Sequence, residues 1–237
     1  MKKILFISII LLAGISLFAQ ETEFSNYDPE AKKILDKLSD KLAEKNTARI
    51  YFEYSAHNAQ DSTEYSYMGY LFVKDESKYK VIIPENEIFS DGVKVFSYNK
   101  KANEMNITFS DPKNDAIYTP QNLINAYKKG YKYSYRGELT FEPKARVNGE
   151  IVKVTKTCHV IDLYPENPKK SPYSIIRIWI DKDKNELVSV KYQEKDGVEQ
   201  VVDILSFELD ITINDDIFTF DPKLYPENID VIDFTEE

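Results

Sequence analysis

From Ile50 to Ile213 the apolar residues recur with a period of two, in short runs broken by polar turns, and this limits what the chain can fold into more than any other feature. A period of two places successive side chains on opposite faces of a strand. Ile50, Phe52 and Tyr54 alternate with Tyr51, Glu53 and Ser55, and the run from Tyr65 to Val73 alternates with Ser66 to Lys74. Further runs cover 79–83, 87–90, 93–98, 104–109, 131–141, 150–163, 173–180, 187–192 and 200–213, so about ten or eleven antiparallel strands are predicted. Within "IFSDGVKVFSY", Asp91-Gly92 is a strong hairpin signal, because glycine accepts the positive φ of a tight primed turn. In the strand after it, Val93, Val95 and Ser97 share one face and Lys94, Phe96 and Tyr98 the other. Trp179 with Ile175, opposite Ile176, Ile178 and Ile180, repeats the pattern. Antiparallel sheets commonly wet one face; here something must cover the second.

Two amphipathic helices are available. Asp28-Pro29 is a capping residue followed by proline at the first helical position, and Ile34, Leu35, Leu38 and Leu42 then fall at helical spacing as far as about Lys45. Thr119-Pro120 repeats the signature, with Leu123, Ile124 and Tyr127 on one face of a short helix that Gly130 ends. A second sheet packed on the first would also cover an apolar face. Both helices would then still need somewhere to bury their apolar sides, and a curved sheet wrapped around helices meets both needs. No long linker interrupts the pattern, so one mature domain is expected.

The start of the chain points to export. Met1-Lys2-Lys3 is a positive n-region, Ile4 to Phe18 is apolar, and Ala19-Gln20 offers small-residue cleavage, so residues 1–19 read as a cleaved signal peptide and 20–237 as the mature domain. The apolar run is shorter than the ~20 residues of a membrane span. No cysteine stands at the cleavage point to be acylated, so a soluble exported protein is expected. Cys158 is the only cysteine, which excludes an intramolecular disulfide. Removing Lys2 and Lys3 takes the net charge from −9 to −11, a sign that repels nucleic acid.

Motifs for catalysis are missing. Two histidines, His57 and His159, cannot build a multi-histidine zinc site, and no zinc-protease, redox-dithiol, nucleophile-elbow or phosphate-loop pattern occurs. Cys158 and His159 are neighbours in a strand and point to opposite faces. Asp181, Asp183 and Asn185 lack the glycine and distal glutamate of a calcium loop. No enzyme activity, cofactor or metal is expected.

Several segments, in order, resemble the outer-membrane lipoprotein carrier (LolA-like) family. Gly69-Tyr70-Leu71-Phe72-Val73-Lys74, an aromatic at Tyr79, and Ser90-Asp91-Gly92-Val93-Lys94-Val95-Phe96-Ser97-Tyr98 are similar to the family's successive strands. Thr119-Pro120-Gln121-Asn122-Leu123-Ile124 resembles its proline-led helix, and Phe218-Thr219-Phe220-Asp221-Pro222 its closing motif. The resemblance implies an incomplete antiparallel β-barrel whose concave apolar face is covered by helices. It also implies a periplasmic carrier, expected to be a monomer, that takes acylated lipoproteins from an inner-membrane ABC transporter to an outer-membrane acceptor, with the acyl chains held in the cavity. Matching positions nominate Leu71, Tyr79, Val81, Phe96 and Tyr98 on the sheet and Leu35, Leu38, Leu123, Ile124 and Tyr127 on the helices. A lipid- or lipoprotein-sensing envelope regulator on a related half-barrel is the alternative, and a periplasmic hydrolase a more distant one. The family often carries arginine and proline after the Val-Lys pair, as a latch for the helical lid. Asp75 and Glu76 stand there in this chain, with Lys78 and Lys80 as the nearby basic substitutes.

Overall fold

The computed structural model describes residues 27–75, 77–110, 127–128 and 130–236. Helix α1 (Pro29–Ala43) starts as the sequence predicts: the Asp28 carboxylate accepts from the N–H groups of Glu30 at 2.9 Å and Ala31 at 3.2 Å. Its second oxygen accepts from Tyr135 N–H at 3.1 Å, so one cap both closes the helix end and ties it to the sheet.

The strands are β1 (Thr47–Asn58), β2 (Thr63–Lys74), β3 (Lys78–Ile82), β4 (Asn86–Asp91), β5 (Lys94–Asn99), β6 (Glu104–Phe109), β7 (Tyr131–Phe141), β8 (Lys144–Val147), β9 (Glu150–Lys153), β10 (Lys156–Pro165), β11 (Tyr173–Asp181), β12 (Leu187–Glu194), β13 (Val198–Leu209) and β14 (Asp230–Asp233). Twelve form one curved sheet in the order β14-β6-β5-β4-β3-β2-β1-β13-β12-β11-β10-β7, antiparallel except for the β14–β6 pair. Among the described residues β14 and β7 are edges, so the barrel is open. The sheet is thus wider than the ten or eleven strands expected, and β8–β9 stand apart as a separate hairpin.

That hairpin turns at Asn148-Gly149, with φ of +52° and +90°, the two positive values of a type I′ turn. The region predicted as one strand from Glu150 to Leu163 is therefore two, β9 and β10. At Asp91-Gly92 the expected tight turn forms: Gly92 has φ +96°, and the Asp91 carboxylate accepts from Val93 and Lys94 N–H, both at 2.8 Å.

Residues paired across strands share a face, so register assigns every strand residue to a side. The inner face, which carries α1, runs through Tyr133, Leu163, Ile176 and Tyr192 in one half and Ile50, Leu71 and Val81 in the other. Ala31, Ile34, Leu35, Leu38 and Leu42 of α1 pack there against Ile161, Leu163, Ile176, Ile178 and Val190. Each fully buried Leu or Ile contributes ~1.5–3 kcal/mol, which holds a helix that would be marginal alone. Residues 1–19, which the sequence reads as a signal peptide, and most of the predicted second helix, including Leu123 and Ile124, lie outside the described residues.

Candidate functional site

The inner face divides into two apolar regions. Under α1 sits the larger; beside it Ile50, Leu71 and Tyr79 form a second, joined by Phe52, Val73, Val81 and Ile88. Ile204 and Phe207 of β13 pack against both, so the apolar surface is continuous from one half of the sheet to the other. Gly69 belongs to this surface. It pairs with Phe52 across β1–β2, and a Cβ at Gly69 would lie 2.5 Å from the Phe52 ring, so glycine leaves the space that the ring fills.

A groove of about 170 Å³ opens where α1 ends and β1 begins. Leu42 and Ala43 form its wall, and Ala48, Val73, Phe207 and Leu209 its floor. Lys45, Asn46, Thr47 and Asp75 make a polar rim. The rim is partly neutralised: Lys45 Nζ bonds Asp210 at 2.5 Å, and Thr47 Oγ1 donates to the Ile211 carbonyl at 2.6 Å. An apolar floor under a polar lip suits an amphiphile whose tail enters and whose head stays wet.

Six of the sequence-nominated residues face inward, in two groups. Leu35, Leu38 and Tyr127 lie in the α1 region, and Leu71, Tyr79 and Val81 in the neighbouring one. Tyr127 stands edge-on to Tyr133, and its hydroxyl donates to Asp36 on α1. Burial and this bond raise the Tyr127 pKa. Lys128 Nζ bonds Ser39 Oγ at 2.8 Å, a second tie to the same helix.

Phe96 and Tyr98, nominated for the cavity, do not face it. They pair with Phe89 and Glu87 on the outer face, away from α1. There Phe89, Phe96, Tyr98, Met105 and Ile107 are covered by Phe220, Tyr225 and Ile229 of the C-terminal segment. Phe96 stacks on Phe89 at 4.9 Å and lies 6.0 Å from Phe220, and Tyr98 meets Tyr225 edge-on at 4.9 Å. The second apolar face of this strand is therefore covered by the chain's own end. The period-two signal had placed Phe96 opposite Val95, but periodicity does not say which face turns inward.

The basic substitutes for a lid latch also face outward. Asp215 bonds Lys74 at 2.5 Å and Lys78 at 2.9 Å, and these two bonds hold its carboxyl down at about 2. Lys80 bonds Glu87 at 3.2 Å and lies over the Phe89 ring. Lys78 thus fastens the C-terminal segment, and among the described residues neither lysine is bonded to α1. Asp75 N–H donates to the Asn46 carbonyl at 2.7 Å, beside the groove.

Elsewhere the chemistry is quiet. Burial pushes the Cys158 thiol up to about 11, so it stays protonated near neutral pH. His159 Nδ1 lies 3.0 Å from the Tyr135 hydroxyl. Among the described residues no group of three or more His, Cys, Asp or Glu is placed to hold a metal, and no helix is long and apolar enough to cross a membrane.

No family model and no curated protein matches the chain. Solved structures are similar to it over most of its length, at low identity. An uncharacterized conserved protein from Thermus thermophilus is 11% identical with a TM-score of 0.49, over 86% of this chain and 99% of that one. A DUF1329 family protein from Desulfovibrio piger is 13% identical with a TM-score of 0.44, over 81% and 98%. A LolA superfamily protein from Nitrosomonas europaea is 12% identical with a TM-score of 0.42, over 80% and 97%.

Proposed function

We propose that this chain is a periplasmic carrier that shields the acyl chains of lipoproteins on the inner face of its sheet, receiving them from an inner-membrane ABC transporter and delivering them to an outer-membrane acceptor. The observation that carries the reading is the continuous inner apolar surface, joined through Ile204 and Phe207, with an open groove whose floor bears no charge. The segment-by-segment resemblance to lipoprotein carriers supplies the cargo class.

Size separates the groove from the whole site. At ~30 Å³ for each water-sized group, 170 Å³ takes roughly five or six methylenes. At ~0.8 kcal/mol per buried CH₂ that is about 4–5 kcal/mol, whereas a chain of roughly 16 carbons exposes on the order of 12 kcal/mol. A full chain therefore runs beyond the groove along Phe207, Ile204 and Val81, and aliphatic and aromatic walls without charged partners let it leave again.

The test is native mass spectrometry, with lipid extraction, on protein purified from a periplasm. Wild-type protein is expected to carry acylated protein or lipid, and Val81→Asp to be empty while still folded by circular dichroism. An empty wild type that takes up no lipoprotein in a release assay would overturn the reading.

A further inference from the structure

The outer face carries a charge arrangement that acyl binding does not use. The chain has four arginines, and two of them converge on one carboxylate, Asp162 of β10, which is 1% exposed. Arg177 of β11 donates from Nε to Oδ1 at 2.6 Å and from a terminal nitrogen to Oδ2 at 2.9 Å. Arg136 of β7 brings its Nε to 3.4 Å from Oδ2, and the Tyr164 hydroxyl donates to the same oxygen at 3.2 Å.

A bulge places the second arginine. In the β7–β10 ladder Gly137 faces Val160 and Tyr135 faces Ile161, which leaves Arg136 without a partner in the register and turns its side chain towards Asp162. Bulges of this kind re-aim side chains. One buried carboxylate is fully served by the fork of Arg177, so the charge of Arg136 is in surplus. Both arginine side chains are also open to water, at 44% and 40%. Lys132 and Lys191 flank them in register with Tyr164 and Arg177, and among the described residues only Lys191 is paired there, with Glu199 at 2.7 Å. A net positive patch thus stands on a chain of charge −9. Trp179, the only tryptophan, lies two residues beyond Arg177 on the same face of β11. Arginine, tyrosine and tryptophan are the residues that dominate protein interfaces.

We propose that this patch, Arg136, Arg177, Lys132, Tyr164 and Trp179 around Asp162, docks an acidic, extended segment of a partner protein. Charge complementarity selects the sign. Reach selects the class: the Debye length is ~8–10 Å, so a short acidic segment feels the local patch, while an anionic membrane or a nucleic acid also meets the surrounding negative surface. The site is on the opposite side of the sheet from the acyl surface, so cargo and partner would bind together.

Trp179 reports on the test, since all tryptophan fluorescence arises there. The mature protein is titrated with a ten-residue peptide of alternating glutamate and serine, with the glutamine–serine peptide as control. Saturable binding of the acidic peptide alone, weakened by salt and at least tenfold by Arg136→Gln with an unchanged melting temperature, is the expected result. Arg136 is the informative variant because Asp162 keeps its bonds from Arg177, whereas Arg177→Gln would strand a buried carboxylate. Equal binding of both peptides, an Arg136→Gln protein that binds as well as wild type, or binding of phosphatidylglycerol vesicles or single-stranded DNA without the peptide would each overturn the proposal.

Discussion

Phe96→Ala separates the two faces of the sheet. The side chain is buried between the Phe89 ring at 4.9 Å and the Phe220 ring at 6.0 Å, on the face away from α1. Removing a buried Phe costs ~3–5 kcal/mol, part of it the stacked pairs worth ~0.5–1.5 kcal/mol beyond burial. In a domain of this size each kcal/mol shifts the melting temperature by ~2–4 °C, so the midpoint is expected to fall by about 6–20 °C. The loss should be concentrated where Phe220 loses its platform. Amide exchange from Phe218 to Asp233 is expected to quicken more than exchange in α1, while a fluorescent fatty acid still binds the folded fraction with wild-type affinity. A folded Phe96→Ala protein with an unchanged midpoint and affinity reduced tenfold or more would refute the assignment of this residue to the outer face.

Gly69→Ala brings a Cβ to 2.5 Å from the Phe52 ring and 3.0 Å from the Ile82 carbonyl, so it is expected to destabilise by ~1–3 kcal/mol in urea titration, and the Gly69→Ala/Phe52→Leu pair to recover part of that loss. Asp215 is held at about 2 by Lys74 and Lys78, below its unfolded value, so its contribution is full above pH ~4 and disappears as pH falls towards 2. The gap in melting temperature between wild type and Asp215→Asn should therefore be present at pH 7 and close across that window. Asp203 behaves oppositely: burial raises its pKa, although Ser189 Oγ donates to it at 2.6 Å. A raised carboxyl favours the protonated form in the fold, so stability is lost as pH rises through its titration, and Asp203→Asn should melt no lower than wild type at pH 7 and lose that pH dependence.

Period two made most of the strands legible, and the Asp28-Pro29 cap made α1 legible, because both are local; the pairing of β1 with β13 and of β7 with β10, which are not consecutive in sequence, was not. The Asn148-Gly149 dipeptide was an equally local signal for the β8–β9 hairpin, and reading Glu150 to Leu163 as one strand passed over it. What covers each face was not legible. Phe96 and Leu71 look alike as apolar strand residues, and only the register, which pairs Phe96 with Phe89 and Leu71 with Ile50, shows them on opposite sides. The cover of Phe96 comes from Phe220, 124 positions later, held by ion pairs of Asp215 with Lys74 and Lys78 that no periodicity announces. The short parallel strand β14 was missed for the same reason, since four residues between turns carry too little alternation.

The most direct measurement is photolabelling of the wild-type protein with palmitate carrying a diazirine near its tail, followed by peptide mass spectrometry. Labels on Phe52, Val73, Val81, Ile88 or Phe207 are the expected result, because these line one continuous inner surface. Labels confined to Tyr98, Phe220 or Tyr225, or no saturable labelling at all, would contradict an acyl site on that face.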